Sequence, residues 1–129
     1  MLTNTPILMV RHLAPEISVI EIQGEINAQA ENQLMEAYSM AEGPDVRAIL
    51  LNFERMDYMN SSGIGLLITL LIRANRQSQH LAAVGLNPHF QRIFELTRLR
   101  DAIPNYRSEA EALAGMNKYM TGKLPALDH

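Results

Sequence analysis

Tyr58-Met59-Asn60-Ser61-Ser62-Gly63-Ile64-Gly65 is the stretch of the chain whose residue types could do chemistry. It follows an apolar run, Ala48-Ile49-Leu50-Leu51-Asn52-Phe53, and opens a strongly apolar helical segment from Ile64 to Ala74. Two adjacent hydroxyls therefore sit where a strand hands over to a helix. Helix starts carry unpaired backbone N–H groups and a partial positive charge. A hydroxyl there can serve as a plain cap, or it can carry a phosphate that the helix start stabilises.

Competing chemistries fail on spacing. A serine hydrolase elbow needs glycine two residues before the nucleophile, and those positions are Met59 for Ser61 and Asn60 for Ser62. Gly63-Ile64-Gly65 begins like a dinucleotide fingerprint, but the third glycine is replaced by Ile68 and no Walker lysine follows. His12, His80, His89 and His129 are scattered, with none at metal-ligand spacing. Glu109 and Glu111 lie at a helix start, where they favour the helix dipole. No enzymatic activity, cofactor or metal is expected.

The elements that must position the hydroxyls alternate. Ile7 to Val10 and Ile17 to Ile22 read as an antiparallel pair around a turn at Ala14-Pro15-Glu16. Gly24 is expected to end the second strand and Asn27 to cap a helix with an apolar stripe at Ala30, Leu34, Ala37 and Ala41, stopped by Gly43-Pro44. Ala48 to Phe53 has the continuous apolar character of a strand covered on both faces. A helix from Asn60 to about Gln79, a strand from Leu81 to Leu86, a helix from Pro88 to Leu96 and a short strand at Ala102-Ile103 follow. Ser108 caps a further helix. This order predicts an α/β fold: a single domain over 1–115 with a mixed, mostly parallel sheet of four to five strands and about four helices. Residues 116–129 are expected to form a helix extension or loose tail.

Composition narrows the partners. The chain has 129 residues, 47% of them hydrophobic, which suits one core. Its net charge of −3, without a basic stripe and with few aromatics, argues against nucleic acid. The lack of cysteine excludes disulfide and thiolate chemistry and fits a cytoplasmic protein. The first residues lack the pattern of a secretory leader. The apolar run from Ile64 to Ile72 is far shorter than the roughly 20 residues that span a bilayer, so membrane insertion is not expected.

The helix after Ser61 carries more leucine and isoleucine than one buried face needs. Ile64, Leu67, Ile68, Leu71 and Ile72 form a face expected to bury on the sheet. Leu66 and Leu70 lie off it. Either the helix is buried on several sides, or these two leucines form a docking patch beside Ser61. Met56, Met59 and Met116 are expected at a contact surface, and the other methionines in the core.

Four segments in order give the chain a resemblance to a known family. Gly24-Glu25-Ile26-Asn27, Ile49-Leu50-Leu51-Asn52-Phe53, Tyr58 to Leu66, and Pro88-His89-Phe90-Gln91-Arg92-Ile93-Phe94-Glu95-Leu96-Thr97 resemble the STAS domain, and within it the bacterial anti-sigma factor antagonists. The resemblance covers about residues 6 to 115. It implies a partner switch: the unphosphorylated antagonist binds an anti-sigma factor that is itself a serine kinase, and a sigma factor is released. The kinase phosphorylates the serine that matches Ser61 (Ser62 being the second choice), and a serine phosphatase reverses this. The partner-binding residues so assigned are Gly24, Glu25, Asn27, Met59, Asn60, Ser61, Ser62, Gly63, Leu66 and Leu70. A homodimer is also compatible. The chain departs from the family pattern at Asn60 and Asn27, where aspartate is usual, and at Arg98, where glycine is usual. A stressosome-like scaffold subunit and the STAS subunit of a lipid-transport ABC complex are the alternative roles; the latter often lacks the serine.

Overall fold

The computed structural model describes residues 6–116. Strands β1 (Ile7–Ala14), β2 (Ile17–Ile26), β3 (Ala48–Met59), β4 (His80–Val84) and β5 (Asn105–Tyr106) form one sheet in the order β1-β2-β3-β4-β5. β1 is antiparallel to β2 and the remaining neighbours are parallel. A 3-10 turn (Ala28–Ala30) leads into α1 (Glu31–Ala41). Helices α2 (Ser61–Arg76), α3 (Pro88–Leu96) and the single turn α4 (Leu99–Ala102) follow, and α5 occupies 109–116. The expected mixed, mostly parallel α/β fold is present.

Alternation along the strands divides the core. Ile20, Ile22, Ile49, Leu51, Phe53, Leu81 and Ala83 face α1, α2 and α3 in the larger core. Ile17, Val19, Ala48, Leu50, Ala82 and Val84 face the other way and pack with Ala112 and Met116 of α5. β3 and β4 are apolar on both faces because helices lie on both sides of them.

Several boundaries differ from the sequence reading. Gly24 lies within β2 at φ +98°, beside a register irregularity between Gly24 and Glu25, and the strand continues to Ile26. A positive φ is open to glycine, so the residue makes a bulge and does not end the strand. β3 runs to Met59 although Glu54, Arg55 and Asp57 interrupt its apolar run, because backbone pairing with β2 continues as far as Ile26 opposite Met59. Ala102 belongs to α4 and Ile103 follows it as a buried residue; the last strand lies at Asn105–Tyr106. There the N–H groups of Ala83 and Gly85 donate to the carbonyls of Pro104 and Tyr106. Met56, Met59 and Met116 are buried, whereas Met9 and Met40 are exposed. Beyond Met116, which ends the described part of α5, the expected tail lies outside the described residues.

Two polar networks hold the helices to the sheet. In the first, the Tyr38 hydroxyl donates to Gln79 Oε1, and Gln79 Nε2 donates to the Val46 carbonyl. Arg73 of α2 stacks over the Tyr38 ring at 4.7 Å and pairs with Glu42 at 2.8 Å. Burial pushes the Tyr38 hydroxyl up to about 12, with Glu42 adding to the rise and Arg73 opposing it. In the second, Glu109 of α5 accepts from Arg11 on β1 and, at 2.7 Å, from Asn52 on β3. Arg11 also donates to Glu21 at 2.7 Å. At the start of α5 the Ser108 hydroxyl accepts from the Glu111 N–H at 3.1 Å, while Glu111 Oε1 accepts from the Arg107 N–H. Ser108 thus caps as the S-x-x-E spacing encodes, while the Glu111 carboxylate reaches one residue further back than in a full capping box, to Arg107.

Candidate functional site

β2 and β3 end side by side. Glu25 is in register with Tyr58 and Ile26 with Met59, and each strand then passes through an asparagine into a helical segment. Asn27 Oδ1 accepts from the Gln29 N–H at 2.9 Å, and its carbonyl accepts from Ala30. Asn60 Oδ1 accepts from the Gly63 N–H at 3.0 Å, and its carbonyl accepts from Ile64. The Asn60 N–H donates to the Ile26 carbonyl at 3.2 Å. One asparagine thus starts each helical segment, and a backbone bond ties the two starts together. Asparagine caps as well as aspartate does, so neither cap needs a carboxylate.

Gly63 makes this closeness possible. A β-carbon at residue 63 would stand 2.6 Å from the Ile26 carbonyl oxygen and 2.7 Å from Met59 Cγ. The first turn of α2 therefore rests directly on the end of β2. Packing therefore explains the glycine that begins the incomplete dinucleotide-like run.

Ser61 and Ser62 are the first two residues of α2, and both are exposed. Asn60 occupies the Gly63 N–H, and neither serine hydroxyl has a partner among the described residues. The first turn holds no acidic residue. The two hydroxyls are accessible, and the local field of the helix start favours negative charge on them.

The surface beside them differs from the expected one. Leu66 and Leu70 are buried with Leu67 and Ala74 in the larger core, so they cannot form a docking patch. Ile68 and Ile72 point to solvent, 42% and 49% exposed, although the sequence reading buried them. The helix is rotated relative to that reading because its underside must fill space between the sheet and α1. Leu66, Leu70 and Ala74 lie four apart along that underside, with Gly63 at its start. Gly65, Ile68, Thr69 and Ile72 instead form an exposed stripe running away from Ser61 and Ser62. Tyr58, 48% exposed, stands edge-on to Phe90 of α3, with ring centres 6.0 Å apart.

The other assigned residues divide by burial. Gly24, Glu25, Asn27 and Asn60 are partly exposed at this end of the sheet, and Met59 and Gly63 are buried beneath it. The structure brings the assigned residues from Gly24 to Gly63 to one end of the sheet and moves Leu66 and Leu70 into the core. Sequence reasoning missed Ile68, Ile72 and Tyr58 as the exposed apolar residues of this region. Tyr58 carried a signal, since an aromatic between Asp57 and a strand end is an uneconomical core residue. Ile68 carried none. Clefts of about 270 Å³ by α3 and α4 and about 330 Å³ by Arg11 and Glu109 lie elsewhere, and neither is lined by residues 60–66. Among the described residues no three His, Asp or Glu side chains are placed to hold a metal ion. Ser61 and Ser62 stand on an exposed surface.

A strand end, an asparagine cap and an exposed serine on a mixed sheet with helices on both faces define the class, and sequence agrees: the chain belongs to the STAS domain family, whose sequence model matches residues 10–112. An anti-sigma-B factor antagonist of Staphylococcus aureus is 29% identical over 82 residues, covering 64% of this chain and 76% of that protein. The solved structure of the anti-sigma factor antagonist SpoIIAA in its unphosphorylated form superposes with a TM-score of 0.70 at 24% identity, covering 86% of this chain and 96% of that one. The Bacillus cell fate determinant SpoIIAA in its phosphorylated form gives 0.66 at 24% identity, over 85% and 99%. Among the described residues no helix is long and apolar enough to cross a membrane.

Proposed function

We propose that this protein is an anti-sigma factor antagonist: a cytoplasmic, non-enzymatic switch that binds an anti-sigma serine kinase and is turned off by phosphorylation of Ser61. The observation that carries this reading is the exposed Ser61 hydroxyl at the head of α2, without a partner among the described residues, beside the exposed apolar stripe of Ile68 and Ile72. The likeness to proteins named anti-sigma factor antagonists supports it. That a solved structure of SpoIIAA carries the phosphorylated form supports the modification.

The switch follows from charge on a fixed platform. A phosphoryl group on Ser61 brings about −1.5 to −2 charge and three acceptor oxygens. The Ser61 and Ser62 N–H groups at the head of α2, which have no partner among the described residues, hold it with little rearrangement. A partner surface complementary to a neutral serine and to Ile68 then meets a desolvated dianion. A loss of ~3 kcal/mol in binding weakens affinity more than 100-fold. The backbone need not move, because Gly63 and Asn60 lock the helix start against Ile26. A serine phosphatase restores the binding form. Nucleic acid has no place in this reading.

The test is binding to the anti-sigma serine kinase of the same bacterium. Wild type and Ser61→Ala bind, Ser61→Asp and Ile68→Glu bind at least about tenfold more weakly, and mass spectrometry after reaction with ATP finds phosphate on residue 61. Equal binding by all four proteins, or phosphate on another residue, overturns the proposal.

A further inference from the structure

Among the described residues the sheet has one long unpaired border. β1 has eight residues and, among the described residues, pairs only with β2. The opposite border, β5, has two. Free edges expose unpaired N–H and C=O groups, and proteins guard them with charge, proline, bulges or shortness. Here the guards leave the first half of the strand open, since the one charged side chain, Arg11, lies beyond Val10. Pro6 precedes β1, and the β1–β2 register is irregular between His12 and Ala14. Between them Ile7-Leu8-Met9-Val10 carries no charge, and Ile7 and Met9 are 57% and 60% exposed.

We propose that β1 pairs antiparallel with β1 of a second copy about a twofold axis at Val10, joining two five-stranded sheets into one continuous sheet. In that register Ile7 faces Leu13 of the other copy, Met9 faces Arg11, Leu8 faces His12 and Val10 faces Val10. Apolar side chains meet on both faces, since Leu8 and Val10 lie on the side of the larger core and Leu13 on the side of the smaller one. No like charges are opposed. Arg11 faces the thioether of Met9 with its charge already met by Glu21 and Glu109.

The second copy is favoured over a foreign strand because the strand is complementary to itself. An isologous contact closes after two chains. Head-to-tail growth through β5 is blocked by the shortness of that border, so the product is a dimer and not a fibre. A strand pair alone buries less than the ~1,200–2,000 Å² of stable interfaces, so the dimer depends on concentration.

Sedimentation over a concentration series reads this directly. The wild-type mass rises from the 14.5 kDa of one chain towards twice that value. Met9→Lys, which replaces an apolar contact of the strand pair by a hydrated ammonium of the kind that guards free edges, stays at the mass of one chain. Within its own chain position 9 is in register with Glu21, so the introduced ammonium meets a carboxylate there and the fold is supported, as circular dichroism verifies. The chain has no cysteine, so Val10→Cys gives a clean cross-linking probe. Opposed residues of antiparallel strands lie ~4.5–5.5 Å apart at Cα, within disulfide reach. Val10→Cys therefore forms a covalent dimer under mild oxidation at least about tenfold faster than Ile68→Cys, which marks random collision. A constant one-chain mass for wild type, undiminished association of Met9→Lys, or equal cross-linking of the two cysteine variants overturns the proposal.

Discussion

Gly63 packs against the carbonyl of Ile26 so closely that a β-carbon on residue 63 would lie 2.6 Å from the oxygen. That oxygen cannot turn aside without breaking its bond from the Asn60 N–H. Gly65, two residues later, has nothing within 4 Å of the same position. Alanine suits helix interiors better than glycine by ~1 kcal/mol, so the two glycines answer the same substitution with opposite sign. Gly65→Ala is expected to raise stability by about 0.5–1 kcal/mol. In Gly63→Ala the overpacking cost of ~1–3 kcal/mol outweighs the propensity gain. Urea denaturation of both variants checks this, and equal shifts would show that Gly63 is not held against β2.

Leu66 and Ile68 reverse the roles that amphipathicity alone assigns them. Leu66 and Leu70 are core residues, and Leu→Ala at either should destabilise by ~2–5 kcal/mol. Ile68→Glu should leave stability within about 0.5 kcal/mol of wild type, because its side chain already meets water. Thermal melting separates the two groups. A large loss in Ile68→Glu would place that residue in the core and remove it from any docking face.

This reversal shows where the sequence ceases to be legible. The order of elements could be read because strand runs such as Ala48 to Phe53 and cap signals such as Asn60, Asn87-Pro88 and Ser108 act locally. The geometry of the candidate site was legible for the same reason: the strand end, the asparagine cap and the exposed serine are contiguous. Which face of α2 is buried depends on what surrounds it. Five of its apolar residues fit one helical face nearly as well as the other three, Leu66, Leu70 and Ala74, fit the next, and only contact with α1 and the sheet decides. Gly24 was misread because a glycine bulge and a strand end share one signal. Tyr38 and Gln79, 41 residues apart, and Arg11 and Glu109, 98 apart, leave no local trace of their pairing.

The Arg11–Glu109 pair makes part of the stability depend on pH. Burial alone would raise the Glu109 carboxyl, but hydrogen bonds from Arg11 and Asn52 outweigh it and hold the group below its ordinary value of 4.5. A carboxylate with a depressed folded-state value contributes stability that is complete above the unfolded value and is lost as pH falls through the folded one. The window therefore lies below 4.5. Glu109→Gln should cost about 0.5–1 kcal/mol at neutral pH, the scale of a partly screened pair. The difference from wild type should shrink towards zero in acid. Urea denaturation at neutral pH and well below 4.5 tests the sign. A difference that stays constant would mean the charge of Glu109 contributes nothing to the anchoring of α5.

Arg98 holds a left-handed backbone, φ 67° and ψ 10°, between α3 and α4. Its N–H donates to the Glu95 carbonyl at 3.1 Å, and its side chain is 84% exposed with a surface pair to Asp101. The side chain therefore offers little to offset the ~1 kcal/mol or more that a β-carbon costs in this conformation. Exposed pairs at this spacing contribute a few tenths of a kcal/mol. Glycine also loses more unfolded-chain entropy on folding, which opposes the gain. Relief of the strained backbone is the larger effect, so Arg98→Gly should raise stability by about 0.5–1 kcal/mol. For a domain of this size that corresponds to a rise in Tm of about 2–6 °C. Arg98→Ala keeps the β-carbon and removes only the ion pair, so it should melt at or slightly below wild type. If both variants shift alike, the side chain of Arg98 and not its backbone sets the stability of this turn.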